Sequence, residues 1–245
     1  KMLATKPPKK WFPLESNPSV MNRYIEALGF DTTQFSFEDI LSTEEWALEM
    51  IPTPVLAILF LFPISSKQEE YKKEENKKIS ESGQILSENV YFMKQTVGNA
   101  CGTIGLLHAM ANACGTNGSL NEHSNLVKEN SFLSRFLAKT KGKDPKMITE
   151  ILENDQELDQ CHGIAASEGQ SEQHDLNEDI NTHFICFVEV DGHLYELDGR
   201  KEFPINHGPT SKNGFLFRTA EVIKMFMGRD PDEVRFSMTA LVPSD

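Results

Sequence analysis

The chain has 245 residues, 39% hydrophobic and 25% charged, enough for one sizeable core and too mixed in composition for a fibrous or wholly disordered protein. Its formal net charge of −13 opposes phosphate backbones and anionic lipid, so neither nucleic acid nor membrane is the expected partner and a basic one fits better. Four cysteines without a C-x-x-C pair suggest neither a disulfide framework nor zinc; with no signal-peptide pattern, reduced thiols in the cytoplasm, and secondarily the nucleus, are the expectation.

Lys1–Lys10 is basic and carries Pro7-Pro8, so it reads as a disordered tail, Lys1 before Met2 as an expression remnant, and residues 11–245 as one domain. Asn17-Pro18 is an N-cap with proline at the first helical position; Met21, Tyr24, Ile25 and Leu28 then recur at helical spacing up to Gly29. Val55–Phe62, bounded by Pro54 and Pro63, is too short to cross a bilayer and predicts a central strand covered on both faces. Lys67–Glu81 is a run of Lys, Glu and Gln that predicts a solvated helix or mobile linker with no function of its own.

Gly102–Ala113 predicts a buried helix. No Lys or Arg stands between Lys146 and Arg200, and on charge pattern alone this acidic stretch reads as a solvated loop. His183–Val190 and Leu194–Leu197 form a hairpin across Asp191-Gly192, a type I′ turn, and Val234–Val242 predicts a last strand.

The pentapeptide Asn-Ala-Cys-Gly-Thr occurs twice, at Asn99–Thr103 and Asn112–Thr116. Position chooses between the two thiols. Cys101 opens the predicted helix, where free N–H groups and the positive dipole end favour a thiolate. Cys114 closes it at Gly115, Asn117 and Gly118, the end that disfavours an anion. Gln95, six residues before Cys101, is placed to join the Cys101 N–H as donor to a tetrahedral oxyanion. A two-residue turn at 191–192 sets Val190 against His193 and Ile185 against Asp198, which makes His183 a diagonal neighbour of Asp198 on the same face. His193 is better explained by the turn and His108 by the core. Cys101 as nucleophile, His183 as base and Asp198 as orienter is the logic of a thiol hydrolase.

Phe92–Leu106 and His193–Arg200, with Trp11–Pro18, Thr182–Phe184, Phe203–His207 and Arg229–Phe236, resemble the short, single-domain ubiquitin C-terminal hydrolases over nearly everything after the tail. The resemblance implies catalysis by residues at the positions of Gln95, Cys101, His183 and Asp198, without cofactor or metal. It implies an α+β, papain-like thiol hydrolase fold: a central antiparallel sheet flanked by helices on both sides, a knotted backbone, and a crossover loop over the active site within about Cys161–Asn181. It implies a monomer whose partner is ubiquitin or, secondarily, a ubiquitin-like modifier, the alternative being an idle protein that holds free ubiquitin. The implied ubiquitin contacts are Pro13, Leu14, Glu15, Ser16, Asn17 and Pro18; Ala166, Ser167, Glu168, Gly169, Gln170, Ser171, Glu172 and Gln173; and Glu233, Val234, Arg235, Phe236, Ser237 and Met238.

Overall fold

The apolar run between Pro54 and Pro63 becomes a strand, Ala57–Pro63, whose side chains enter two separate clusters: Ala57 and Leu59 one, Ile58, Phe60 and Phe62 the other. A strand with two apolar faces must be covered twice. The computed structural model describes residues 9–115, 123–169 and 180–244, and this strand, β2, lies third in the sheet. Among the described residues the order is β1 (Phe35–Asp39), β6 (Ser237–Pro243), β2, β3 (Thr182–Val190), β4 (His193–Leu197) and β5 (Ile205–Pro209), with every pair antiparallel.

Helices cover both faces. α1 (Pro18–Leu28), α4 (Cys101–Cys114), α5 (Phe132–Thr140), α6 (Pro145–Glu153) and α7 (Gln156–Ser167) build the larger cluster with Leu59, Phe184 and Cys186. α2 (Glu45–Leu48) and α8 (Phe215–Gly228) close the other face over Phe60, Ile185 and Phe187. α1 starts where its caps require: the Asn17 side chain accepts the Ser19 N–H at 2.9 Å, and Gly29 ends the helix at φ 102°.

Several expectations shift. Of the tail, residues 1–8 lie outside the described part; Lys9 and Lys10 are fastened, Lys9 Nζ donating to the Glu153 carbonyl at 2.8 Å and Lys10 bridging to Gly98. The acidic stretch is not one solvated loop. α6 and α7 occupy it because Asp144 and Asp155 cap their first turns and Leu158, His162 and Ala165 bury one face of α7. Cys161–Ser167 is therefore helix, and any crossover begins after it; residues 170–179, including Gln170–Gln173, lie outside the described part. The last strand starts at Ser237, not Val234, because the Glu233 carboxylate gathers the Val234 and Arg235 N–H groups into a local turn. Lys67–Glu81 is neither linker nor free of contacts: it lies in a helix, α3 (Ser66–Ser82), opened by the Ser65 hydroxyl.

Candidate active site

α4 runs from the first repeated cysteine to the second. Cys101 is its first residue, and the first intrahelical bond, Ile104 N–H to the Ala100 carbonyl at 2.9 Å, leaves the preceding N–H groups free for the site. Gly102 lets this end approach Leu14; a Cβ there would stand 2.8 Å from the Leu14 Cβ.

The base and its orienter arrive on a hairpin. Asp191 and Gly192 have φ 51° and 77°, the left-handed pair of a type I′ turn. Val190 pairs with His193 and Cys186 with Leu197, so the next register position sets Ile185 against Asp198. His183 Nε2 and Asp198 Oδ1 lie 2.6 Å apart, both residues buried. That bond leaves Nδ1 as the ring nitrogen for Cys101, whose thiol is held by His183 and by the Phe184 and Gly102 N–H groups. Asp198 also accepts the Arg200 N–H at 2.8 Å and has Lys72 Nζ at 3.9 Å.

These contacts sort the thiols. Burial raises the Cys101 pKa, but the His183 hydrogen bond and charge outweigh it and bring the thiol below its usual 9.0. Burial alone pushes Cys114 up to about 12 and also raises Cys186; Cys161 is raised by burial and by Glu157 and Asp155. Burial opposes charge on His183, yet the Asp198 carboxylate, aided by Cys101, lifts it to about 9. Asp198, despite burial, is held well below the carboxylate range by His183, Lys72 and the Arg200 N–H. The arrangement can therefore store a thiolate beside an imidazolium.

Gln95 sits in the same corner. Its backbone N–H donates to the Gly199 carbonyl at 2.8 Å, next to Asp198. Its Nε2 donates to the Val97 carbonyl at 3.2 Å, the carbonyl that also receives the Ala100 N–H of the turn into Cys101. Its Oε1 is buried without a partner among the described residues. One N–H of the amide is thus spent on a fixed anchor and the other remains to serve a ligand. Gly199 permits this approach: a Cβ there would lie 3.0 Å from the Gln95 Cβ and 3.0 Å from Ile104.

Sequence reasoning allowed α3 as a solvated helix but missed the contacts it makes. Its inward stripe is polar: Gln68 Nε2 donates to the Phe226 carbonyl at 2.9 Å, Lys72 faces Asp198, and Glu75 accepts from the buried Lys201 at 2.6 Å. Lys201 donates equally to Glu196 Oε1, whose Oε2 accepts from His207 at 2.9 Å. Glu196 lies in β4 two residues before Asp198, which follows the strand, so this ion network backs the hairpin. The spacing of Gln68, Lys72 and Glu75 was the available signal, hidden because a polar stripe resembles a solvated one.

His108 is a core histidine, as expected, Nε2 accepting the Met93 N–H at 3.1 Å while burial lowers it to about 4. His193 stays at the turn, its Nδ1 3.1 Å from the Asp191 carbonyl. The described parts of the three expected contact segments lie together: Ser16 and Ser237 hydroxyls are 2.8 Å apart, and a Cβ on Gly169 would strike the Glu15 carboxylate. Among the described residues no His, Cys, Asp or Glu cluster is arranged to hold a metal.

Residues 11–228 match the family model described as ubiquitin carboxyl-terminal hydrolase, family 1. The chain belongs to that family. Over 233 residues it is 43% identical to ubiquitin carboxyl-terminal hydrolase 3 of Arabidopsis thaliana, covering 95% of this chain and 94% of that protein. It is 40% identical to ubiquitin carboxyl-terminal hydrolase isozyme L1 of Homo sapiens, covering 94% and 96%. The Trichinella spiralis UCH37 catalytic domain, solved bound to ubiquitin vinyl methyl ester, superposes with a TM-score of 0.70 at 22% identity over 96% of each chain. Its likeness carries the fold, α+β and papain-like, across to this chain.

Proposed function

We propose that the chain is a thiol-dependent deubiquitinating hydrolase that cleaves after the C-terminal glycine of ubiquitin, with Cys101, His183, Asp198 and Gln95 carrying the reaction. The observation that carries this reading is one lowered thiol beside a raised imidazole, in a chain whose relatives are named ubiquitin carboxyl-terminal hydrolases.

The Cys101 thiolate attacks the glycine carbonyl carbon, and the Cys101 N–H and the Gln95 amide hold the resulting oxyanion. His183 passes its proton to the leaving amine as the C–N bond breaks, leaving a thioester. Water, deprotonated by His183, attacks the thioester and returns the thiolate. Asp198 fixes the ring orientation throughout.

The segment after α7 favours small or unfolded leaving groups. The 14 residues between α7 and β3, 168–181, reach at most about 50 Å at full extension. A folded domain of about 75 residues is about 29 Å across, and a chain that rises beside it, passes over it and descends again needs about 75 Å. The segment carries Glu168, Glu172, Asp175, Glu178 and Asp179 in its sequence, a negative charge that suits a basic ubiquitin tail.

The test is a ubiquitin probe with a C-terminal electrophile. The expected product is an adduct mapped to Cys101 and absent from Cys101→Ala. Tight binding without an adduct would make the protein an idle ubiquitin holder.

A further inference from the structure

The segment that delivers Gln95 belongs to no strand among the described residues, so its backbone polar groups have no ladder to pair with. Side chains serve instead. Asn112, on α4, accepts the Tyr91 N–H at 2.8 Å and donates to the Tyr91 carbonyl at 2.9 Å, as a paired strand residue would. His108, one helical turn earlier, accepts the Met93 N–H at 3.1 Å. Lys94 turns the other way: its N–H donates to Thr149 Oγ1 at 3.1 Å, and the same hydroxyl lies 2.8 Å from the Lys94 carbonyl. Gln95 then reaches the Gly199 carbonyl.

Thr149 is therefore the last side-chain clamp before Gln95. It is 3% exposed, on α6, and 55 residues from Lys94 in sequence. Its hydroxyl has one proton and two carbonyls within reach, Lys94 at 2.8 Å and Pro145 at 2.9 Å, while it accepts the Lys94 N–H. Ordinary helix packing would explain a threonine bonded to Pro145, four residues back. It does not explain a hydroxyl that also meets both polar groups of one residue on another segment.

We propose that Thr149 is a positioning residue for the oxyanion donor, holding the Lys94 peptide so that the Gln95 amide keeps its place above Cys101. This rests on the Gln95 role given above. Loss of the hydroxyl frees one residue of backbone directly before Gln95, and small displacements of a donor are costly when charge develops on the ligand.

The experiment compares Thr149→Val, Thr149→Ala and Thr149→Ser in the full chain, each alone and with Gln95→Ala, on a ubiquitin–fluorophore amide. Thr149→Val and Thr149→Ala are expected to lower kcat about tenfold with KM within about twofold, and Thr149→Ser to stay within about twofold of the parent. Gln95→Ala is expected to lose about 10²-fold, and Thr149→Val to add less than about twofold to that loss. Alkylation of Cys101 by iodoacetamide builds no oxyanion, so its rate should hold in all the variants. Unchanged kcat in Thr149→Val and Thr149→Ala while Gln95→Ala is impaired overturns the proposal and spares the Gln95 role. Full additivity, or alkylation slowed in step with hydrolysis, makes Thr149 merely structural. An unimpaired Gln95→Ala removes the Gln95 role and the proposal with it.

Discussion

Two copies of one pentapeptide lie at the two ends of α4, and nothing they share explains what they do. Asn99 has φ 60° and donates to the Trp11 carbonyl ahead of the helix; Asn112 is inside it and pairs with Tyr91. Cys101 is partly exposed beside His183, whereas Cys114 is buried among apolar groups. Gly102 makes room for Leu14; Gly115 ends the helix with φ 69°. The helix dipole has the right sign for choosing Cys101 over Cys114, but the larger difference is company: an imidazole within reach of one thiol and hydrocarbon around the other.

The strongest way to break that contrast is to remove each thiol. Cys101→Ala should lower turnover by at least about 10⁴-fold while ubiquitin still binds, and Cys114→Ala should leave kcat within about twofold. Equal losses in two folded variants would mean that the helix end does not select the nucleophile. Next in size, Asp198→Asn should reduce kcat by about 10² to 10⁴, because an amide no longer favours the tautomer and the charge His183 must carry. Ubiquitin affinity, measured by titration, should hardly move.

Gly199→Ala sharpens the comparison from the other side of the cleft. The new Cβ meets Gln95 and Ile104 at 3.0 Å, so the amide must shift; kcat should fall about tenfold with little change in iodoacetamide reactivity. A variant with normal kcat would show that Gln95 has freedom to spare.

The smallest effect concerns pH. Cys101 titrates below 9.0 and His183 near 9, so alkylation of Cys101 should persist below the range of an ordinary thiol, and hydrolysis should decline as pH rises through about 9, when the imidazolium is lost. With its folded value raised from 6.5, His183 contributes stability fully below pH 6.5 and loses it as pH climbs through 9. Lys72→Met removes a positive charge 3.9 Å from Asp198, which favours the imidazolium and should move the alkaline limb up by about half a unit. A downward move would mean that Lys72 acts on the pair in some other way.

The site was legible where chemistry has a spacing. Asp191-Gly192 prescribes its turn, the turn prescribes the register, and the register brings His183 to Asp198; a caps-and-glycine reading likewise placed α1 and α4. The legible part of the fold was the part written in apolar letters, such as β2. What stayed hidden was the inward face of α3, where charge packs against charge, and α7, whose few apolar groups stand among many acids; α6 has a readable start at Asp144-Pro145 and a stripe of Ile148 and Leu152, but the acidic run around it outweighed them. Thr149 and Glu75 have meaning only through Lys94 and Lys201, residues far away in sequence.

α3 has one buried residue, Gln68, and is otherwise fastened by Lys67, Glu69, Lys72 and Glu75 to charges on the loops behind the hairpin. With so little apolar area withdrawn from water, its opening free energy should lie far below that of the sheet, and its amides should exchange with solvent deuterium long before those of β2 or β3. Added salt weakens its more exposed pairs and should quicken that exchange, while the neighbouring strands stay protected. Each opening takes Glu75 away from Lys201 and Lys72 away from Asp198, so the rear wall of the catalytic hairpin would breathe on a clock set by ionic strength.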